Sequence, residues 1–531
     1  MNCLAIEQRG EVVLVDCGVT FDHRGLGVDV IHPDFAALEP YRGRIRGIFL
    51  THGHEDHLGA VPHFLKRFDV PIWGPPYSLE LLRVRAEEHE ILRYAQLIPV
   101  KPREKHVIGP FTIEPIRVTH STADSIALAI QTAAGLVIHS GDFKFDETPP
   151  DGEMFDVERL RQLGDEGVRL LMSDSTNVDV PGPSGSEEGV RGALQRLIGE
   201  AKGRVIVGMF ASNVHRLRLL GEIAEATGRR IVPLGRSVST HAKVAERTGY
   251  LAWPDALVVP AERAGELRRE QVLGIATGTQ AEANAALGRM SRGEHPLALD
   301  IGDHVILSSR VIPGHEPEVG ALESAFLRRG VLVTTRAIDP GVHVSGHASR
   351  QEQRRMIELV RPRSFIPLHG TRHHLVRHAE LATSLGIGDA LVLENGDVGV
   401  LDPDVLVREG RWPTGRVHLG FGRAVSGETL KERSTLAAEG VVFAAVPVSE
   451  GRVVGEIQLV SRGILGEPEL DALLRAAARE AETAAVAEHG RALDAGTIKE
   501  AVRLAVRRVL HRSLGYKAQV LVALVPVARP S

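Results

Sequence analysis

The chain has almost no cysteine: Cys3 and Cys17 are the only two in 531 residues. That excludes a disulfide framework and makes a reducing cytoplasm the expected compartment. Long apolar runs are missing too. No stretch approaches the ~20 residues a membrane helix needs. The start, MNCLAIEQRGEVVLVDCG, reads as strand, turn and strand, not as a basic-then-apolar leader. Aromatic residues make up only 4 % of the sequence. There is no basic excess either. With 63 Lys+Arg against 68 Asp+Glu the net charge is -5, which excludes a nucleic-acid coat that is basic all over. What is plentiful is histidine. There are 24, and imidazole is the commonest metal ligand and a ready proton shuttle.

Hydrophobic periodicity divides the chain. Up to the break Pro181-Gly-Pro-Ser-Gly-Ser186, short apolar strands alternate with helices, as in sheets covered by helices. From 187 to 334 the pattern becomes repeated βα units, which predicts a parallel sheet. Residues 416–436 read as a polar, Gly-containing linker. Beyond them, strands near 440–448, 455–461 and 519–526 and helices near 467–488 and 498–513 predict a small α+β domain.

The histidines are not spread evenly. A strand at 47–51 runs into His52-Gly-His54-Glu-Asp56-His57 and then an apolar helix. At this composition H-x-H-x-D-H is expected about 0.003 times by chance in such a length. Alternate residues of an extended segment share a face, so His52 and His54 can close on one ion. Asp56 and His57, displaced at the turn into the helix, can serve a second. Imidazole with carboxylate suits Zn²⁺, Mn²⁺ or Fe. One cluster cannot complete two shells, and three further candidates end strands: His120, Asp142 and His369. A carboxylate such as Asp142 can bridge two ions, the arrangement used for two-metal hydrolysis. Other histidines have plainer readings. His373, His374 and His378 fall on a helix and are expected on its solvated face.

These motifs resemble the metallo-β-lactamase superfamily and, within it, the β-CASP nucleases of the ribonuclease J type. Further stretches carry the likeness: Met-Ser-Asp174-Ser-Thr-Asn177, His343-Val-Ser345-Gly346-His347, Ser212-Asn-Val-His-Arg216, Gly235-Arg-Ser237 and Ser308-Ser-Arg-Val-Ile-Pro-Gly314. The resemblance implies an α/β fold. A metallo-β-lactamase αββα sandwich (1–182 and 341–415) is interrupted by a β-CASP parallel-sheet domain (183–340). A linker (416–436) and a C-terminal α+β domain (437–531) for oligomerisation or RNA binding follow. It also implies site roles. Asp16 braces the site. His52, His54 and His120 bind the first metal, Asp56, His57 and His369 the second, and Asp142 bridges. Asp174 and His347 join Asp56 as catalytic groups, with His347 donating a proton to the leaving oxygen or stabilising the phosphorane. His343, Ser345, Gly346 and His347 form a phosphate pocket.

The implied activity is a two-metal ribonuclease in the cytoplasm, serving RNA and rRNA processing and decay. It combines 5′→3′ exonucleolysis of 5′-monophosphorylated RNA with endonuclease cleavage. Zn²⁺ is the expected metal and Mn²⁺ the alternative. RNA is the expected partner, with a homodimer or homotetramer built through the C-terminal domain, RNA-decay partners and no membrane. Two other readings stay open: another lactamase-fold hydrolase acting on DNA, thioesters or lactams, and a non-catalytic RNA-binding subunit. Three departures from the family pattern stand out. Its Gly-rich GG-x-x-E-I-G opening has no counterpart here, implying a start upstream of Met1 or a missing near-site loop. His315 replaces a usual Asn, and Ala281 a usual Gly.

Overall fold

The computed structural model describes residues 1–22, 25–464, 470–486 and 494–527. They form two compact units, Met1–Thr20 with His32–Arg416, and Phe21–Ile31 with Val417–Ser531.

In the first unit two sheets face one another. One runs Leu4–Gln8, Glu11–Val15, Ile45–Phe49, Ile72–Gly74, Leu97–Pro99. The other runs Asp389–Ala390, Ser364–Leu368, Val168–Asp174, Gly135–His139, Ile126–Thr132, Phe111–Arg117, His106–Ile108. Val13, Val15 and Phe49 meet Phe111, Ile113, Leu128, Ile130 and Leu170 between them. The central strands are buried on both faces, because helices cover the outsides. Leu160, Met356 and Leu381, from helices Val157–Glu166, Arg350–Val360 and Arg372–Ser384, pack on Ala127, Ile138, Leu171 and Phe365. Helix Pro76–Glu88 packs on the first sheet. This is the expected αββα sandwich.

The chain leaves the second sheet after Val168–Asp174 and returns at Ser364–Leu368. These strands pair in parallel with Asp174 opposite Leu368, which sets Asp174 beside His369. The insertion is a five-stranded parallel sheet in the order Arg230–Leu234, Val272–Ala276, Val205–Gly208, His304–Leu307, Leu332–Thr335.

Ala281 lies in this inserted domain at φ 63, a left-handed conformation that disfavours a Cβ. Ala281→Gly therefore raises stability by about 0.5–1 kcal/mol net of the added unfolded-state entropy. A melting-temperature rise of a few degrees, or its absence, checks this.

In the second unit, Val441–Ser449 pairs antiparallel with Gln458–Arg462 and parallel with Gln519–Pro526. Helices Leu470–Val486 and Ala495–Leu514 bury Ala477, Ala481, Val502 and Val506 against Val442, Ala444 and Val446. Residues 467–469 and 487–488 of the expected first helix lie outside the described residues.

Two organisational expectations are corrected. Residues 416–436 are not a linker: they form strands Arg416–Gly420 and Arg423–Val425 and most of helix Gly427–Glu439. The physical reason is a small core of Val28, Ile31 and Leu430 with Leu26 and Val425, whose halves lie some 400 residues apart. For the same reason 1–182 is not one continuous piece of the sandwich, since Phe21–Ile31 belongs with the second unit.

Candidate metal centre

The first strand of the motif, Ile45–Phe49, is followed by the extended segment that carries His52 and His54, and helix Glu55–Leu58 follows at once. Strand ends bring in the rest. His120 follows Phe111–Arg117, Asp142 follows Gly135–His139, and His369 directly follows Ser364–Leu368. Three sets of ligand-type atoms converge: His52, His54, His120 and Asp142; Asp56, His57 and His369; and Asp142, Asp174, His347 and His369. All the expected metal-facing residues are therefore in one place. His343, expected in the phosphate pocket, belongs to none of the three sets.

The hydrogen-bond network fixes which nitrogens face inward. Thr51 Oγ1 donates to Asp16 Oδ2 at 2.9 Å, so it accepts from His52 Nδ1 at 3.0 Å. That leaves His52 Nε2 as a bare lone pair. His120 Nδ1 donates to the Gly346 carbonyl at 2.6 Å, which bares its Nε2 as well. Both lone pairs meet His54 Nδ1, at 3.0 and 3.2 Å. One proton cannot satisfy three such nitrogens. Tetrahedral zinc with its usual Zn–N bonds holds ligand nitrogens roughly 3.3 Å apart, so the donor set fits a divalent cation of that kind.

The second half repeats the device. His57 Nδ1 donates to Asp16 Oδ2 at 2.8 Å, turning Nε2 toward Asp142 Oδ2 at 3.2 Å and Asp56 Oδ2 at 3.5 Å. Thr176 Oγ1 donates to Asp174 Oδ1 at 2.6 Å and accepts from His369 Nδ1 at 2.7 Å. His369 Nε2 then faces Asp56 Oδ2 at 3.0 Å. Asp142 Oδ2, 3.2 Å from His57 and 3.7 Å from His52, lies between the halves.

The electrostatics agree. Burial drives His54 down to about 4 and pushes His52 and His120 well below the imidazole range. Burial opposes charge on His57 too, yet Asp142, Asp56 and Asp16 lift it to about 10, and Asp142 lifts His369 in the same way. A buried cluster of carboxylates this dense requires positive charge among them.

His347 stands at the edge. Its Nδ1 lies 2.9 Å from Asp174 Oδ2, leaving Nε2 for another partner, and its ring stacks on His369 at 5.5 Å. Ser345 Oγ accepts from Asn177 Nδ2 at 2.8 Å, and Arg310 Nη1 donates to Asn177 Oδ1 at 2.9 Å. Gly346 has a firm reason to be glycine: a Cβ would lie 2.6 Å from Ser121 Oγ and 3.0 Å from the His120 ring.

His343 sits apart, its Nδ1 3.3 Å from Arg216 Nη1, and burial with that cation holds it neutral at about 3. Arg216 donates to Glu187 Oε2 at 2.7 Å and to Ser308 Oγ at 2.8 Å. Burial opposes charge on Glu187, but Arg216, with Lys144 Nζ at 3.9 Å, holds it at about 2 from an ordinary 4.5. A depressed folded value stabilises fully above the unfolded one, and the contribution fades as pH falls from about 4.5 toward 2. That is worth ~3 kcal/mol. Glu187→Gln should lower the melting temperature at pH 7, with the gap to the parent narrowing below pH 4.5; a gap that stays constant contradicts this account.

One expectation is overturned. His378 is fully buried and pairs with Ser175 Oγ at 2.9 Å, because it lies on the inward stripe Leu375, Ala379, Ala382. Sequence reasoning missed the two threonine relays, although Thr51 directly precedes the motif. It also missed Asn2, whose amide nitrogen lies 3.2 Å from Asp56 Oδ2 and 3.0 Å from His57 Nε2. No helix among the described residues is long and apolar enough to cross a membrane.

Comparison with known proteins now bears on this geometry. Residues 2–184 match the metallo-beta-lactamase superfamily and residues 202–324 the ribonuclease J beta-CASP domain. Residues 332–392 match the Zn-dependent metallo-hydrolase RNA specificity domain and residues 428–527 the ribonuclease J C-terminal domain. Ribonuclease J of Mycobacterium tuberculosis is 38 % identical, covering 98 % of this chain and 94 % of its own. That of Synechocystis is 39 % identical over 87 % of this chain and 73 % of its own. A crystal structure of a protein of unknown function from Enterococcus faecalis shares the fold at TM-score 0.51 and 15 % identity, over 77 % of this chain and 96 % of that one. A histidine–aspartate centre suited to a divalent cation, on a sandwich with a parallel-sheet insertion, thus sits in a chain that belongs to the ribonuclease J family.

Proposed function

We propose that the chain is a two-metal ribonuclease that hydrolyses RNA phosphodiester bonds. It acts as a 5′→3′ exonuclease on 5′-monophosphorylated RNA and as an endonuclease, in RNA processing and decay. The observation that carries this is the convergence of the His52, His54, His120 set with the Asp56, His57, His369 set around Asp142. His52, His54 and His120 would hold one divalent ion and Asp56, His57 and His369 a second, Zn²⁺ before Mn²⁺, with the Asp142 carboxylate available to both. Bound there, the ions supply positive charge that acidifies a water and offsets charge developing on phosphoryl oxygens.

The chain's own groups do the rest. Asp16 and Asp174, acting through Thr51 and Thr176, hold the imidazoles in the tautomers that face inward. His347, kept by Asp174 with Nε2 free, carries a proton for the leaving 3′ oxygen. Ser345 Oγ, which accepts from Asn177 Nδ2 and the His347 N–H and so keeps its own proton to give, offers a donor for a 5′-phosphate together with the Gly346 N–H and the Arg310 guanidinium. Cleavage that expels a 3′ oxygen leaves a new 5′-phosphate on the shortened RNA, which suits repeated use of that pocket.

The second unit supports self-association. Phe443, Val460 and Leu521 are register neighbours on the sheet face away from its helices, and they are 49 %, 55 % and 49 % exposed. An exposed apolar strip of this kind supports the reading of a dimer or tetramer built through this unit.

The deciding experiment incubates the full chain with 5′-labelled monophosphorylated RNA, with Zn²⁺ or Mn²⁺ and with chelator. Metal-dependent release of mononucleotides is expected, slower from 5′-triphosphate ends. Indifference to the end group removes the exonuclease reading. Untouched RNA beside turnover of a thioester or lactam removes the ribonuclease reading.

A further inference from the structure

Tyr77 is buried at the start of helix Pro76–Glu88 and touches three structures at once. Its ring lies under Gly53, the residue between His52 and His54: a Cβ on Gly53 would come within 3.1 Å of Tyr77 Cε1 and 3.2 Å of Cδ1. Its backbone N–H donates to Asp124 Oδ2 at 2.7 Å. Asp124 sits four residues after His120, in the same loop, with a left-handed φ of 50. The Tyr77 hydroxyl reaches out of the sandwich to His241 Nδ1, at 2.6 Å. His241 is itself buried, on helix Arg236–Arg247 of the inserted parallel-sheet domain, which packs against helix Pro76–Glu88.

The hydrogen bond is between two neutral groups. Burial holds His241 at about 3 and raises the Tyr77 hydroxyl, so at neutral pH the tyrosine donates and the imidazole accepts. A neutral bond at this distance inside a protein is directional, and its loss leaves a buried polar atom unpaired. Groups that orient metal ligands without touching the ion commonly set affinity. Here the orienting body is an aromatic ring beneath the backbone that joins two ligands, and the strut holding it comes from the other domain.

We infer that Tyr77 and His241 form a positioning pair that ties the inserted domain to the loops of His52, His54 and His120, setting metal affinity and turnover from outside the metal centre. This rests on the ribonuclease reading for turnover but not for affinity. Both side chains are buried and lie outside the ligand sets. The pair's effect should fall on kcat and on the metal, and spare KM for RNA.

The test uses the full chain with Tyr77→Phe, His241→Ala, the double variant and His241→Gln, whose amide oxygen can still accept from the hydroxyl. Zn²⁺ affinity is read by competition with a chromogenic chelator, alongside kcat, KM and melting temperature. Tyr77→Phe and His241→Ala should each weaken Zn²⁺ about tenfold and lower kcat about tenfold, with KM within about twofold. The double variant should be no worse than either single, and His241→Gln should recover most of the loss. Unchanged Zn²⁺ affinity with only a lower melting temperature overturns the inference, since the pair is then packing alone. Additive losses overturn it too. Should Tyr77→Phe not fold, the His241 series decides. If the parent cleaves no RNA, the functional reading fails while the Zn²⁺ arm still judges the pair.

Discussion

Asp142→Asn should lower RNA hydrolysis by about three orders of magnitude and strip metal from the protein while leaving it folded. The substitution keeps the shape of the side chain and removes its charge. That charge lies 3.2 Å from His57 Nε2 and 3.7 Å from His52 Nε2, and its other oxygen is 3.8 Å from His369 Nδ1. Near 4 Å, with an effective dielectric of ~20, one unit charge on another is worth ~4 kcal/mol. Lost from the transition state, that is about 10³ in rate. Because Asp142 lies between the two halves, its loss should weaken both ions, whereas His54→Ala should chiefly empty the first set. Metal analysis separates the two: less than half the parent's content for Asp142→Asn, about half for His54→Ala. Melting curves check folding. Near-normal metal content and activity in Asp142→Asn would remove it from the centre and with it the two-metal proposal.

Asp142 also shows how unevenly the site could be read from sequence. His52, His54, Asp56 and His57 were legible because their relation is local: six residues, one strand end, one turn. His120, Asp142 and His369 each end a strand, a weaker signal that gained force from needing to complete two shells. What could not be read depends on pairings set by the fold. Thr51 becomes a relay only because Asp16, at φ 60, turns its carboxylate under the loop. Thr176 does so only because Val168–Asp174 and Ser364–Leu368, almost two hundred residues apart, are neighbours. The Gly346 carbonyl is aimed at His120 from 226 positions away. His378 is different, since its apolar neighbours at helical spacing were visible, and a polar residue on an apolar stripe was misread as an exposed one. In the fold, helix-covered sheets and the parallel insertion followed from periodicity, whereas the αββα sandwich came from the family resemblance. The mispredicted linker failed because its small core partner lies near residue 30.

His347→Ala should lower kcat by about 10²–10³ with metal content and KM little changed, the range general acid catalysis commonly supplies. The ring is a fifth exposed or a little more, the least enclosed imidazole of the third ligand set, and only its Nδ1 is committed, to Asp174. Burial disfavours its charge, but Asp174 raises its pKa above the ordinary 6.5. An acid must be protonated, so the parent's kcat should fall along an alkaline limb, and that limb should vanish in His347→Ala. Asp174→Asn makes the contrast. Its carboxylate holds His347 directly and His369 through Thr176, so both turnover and metal affinity should drop. The decisive substrate carries sulfur in place of the bridging 3′ oxygen. A thiolate leaves without a proton, so this substrate should restore His347→Ala to within about tenfold of the parent while leaving Asp142→Asn inactive. Equal damage to both variants on the sulfur substrate would show that His347 stabilises the phosphorane or the metal centre and donates no proton to the leaving group.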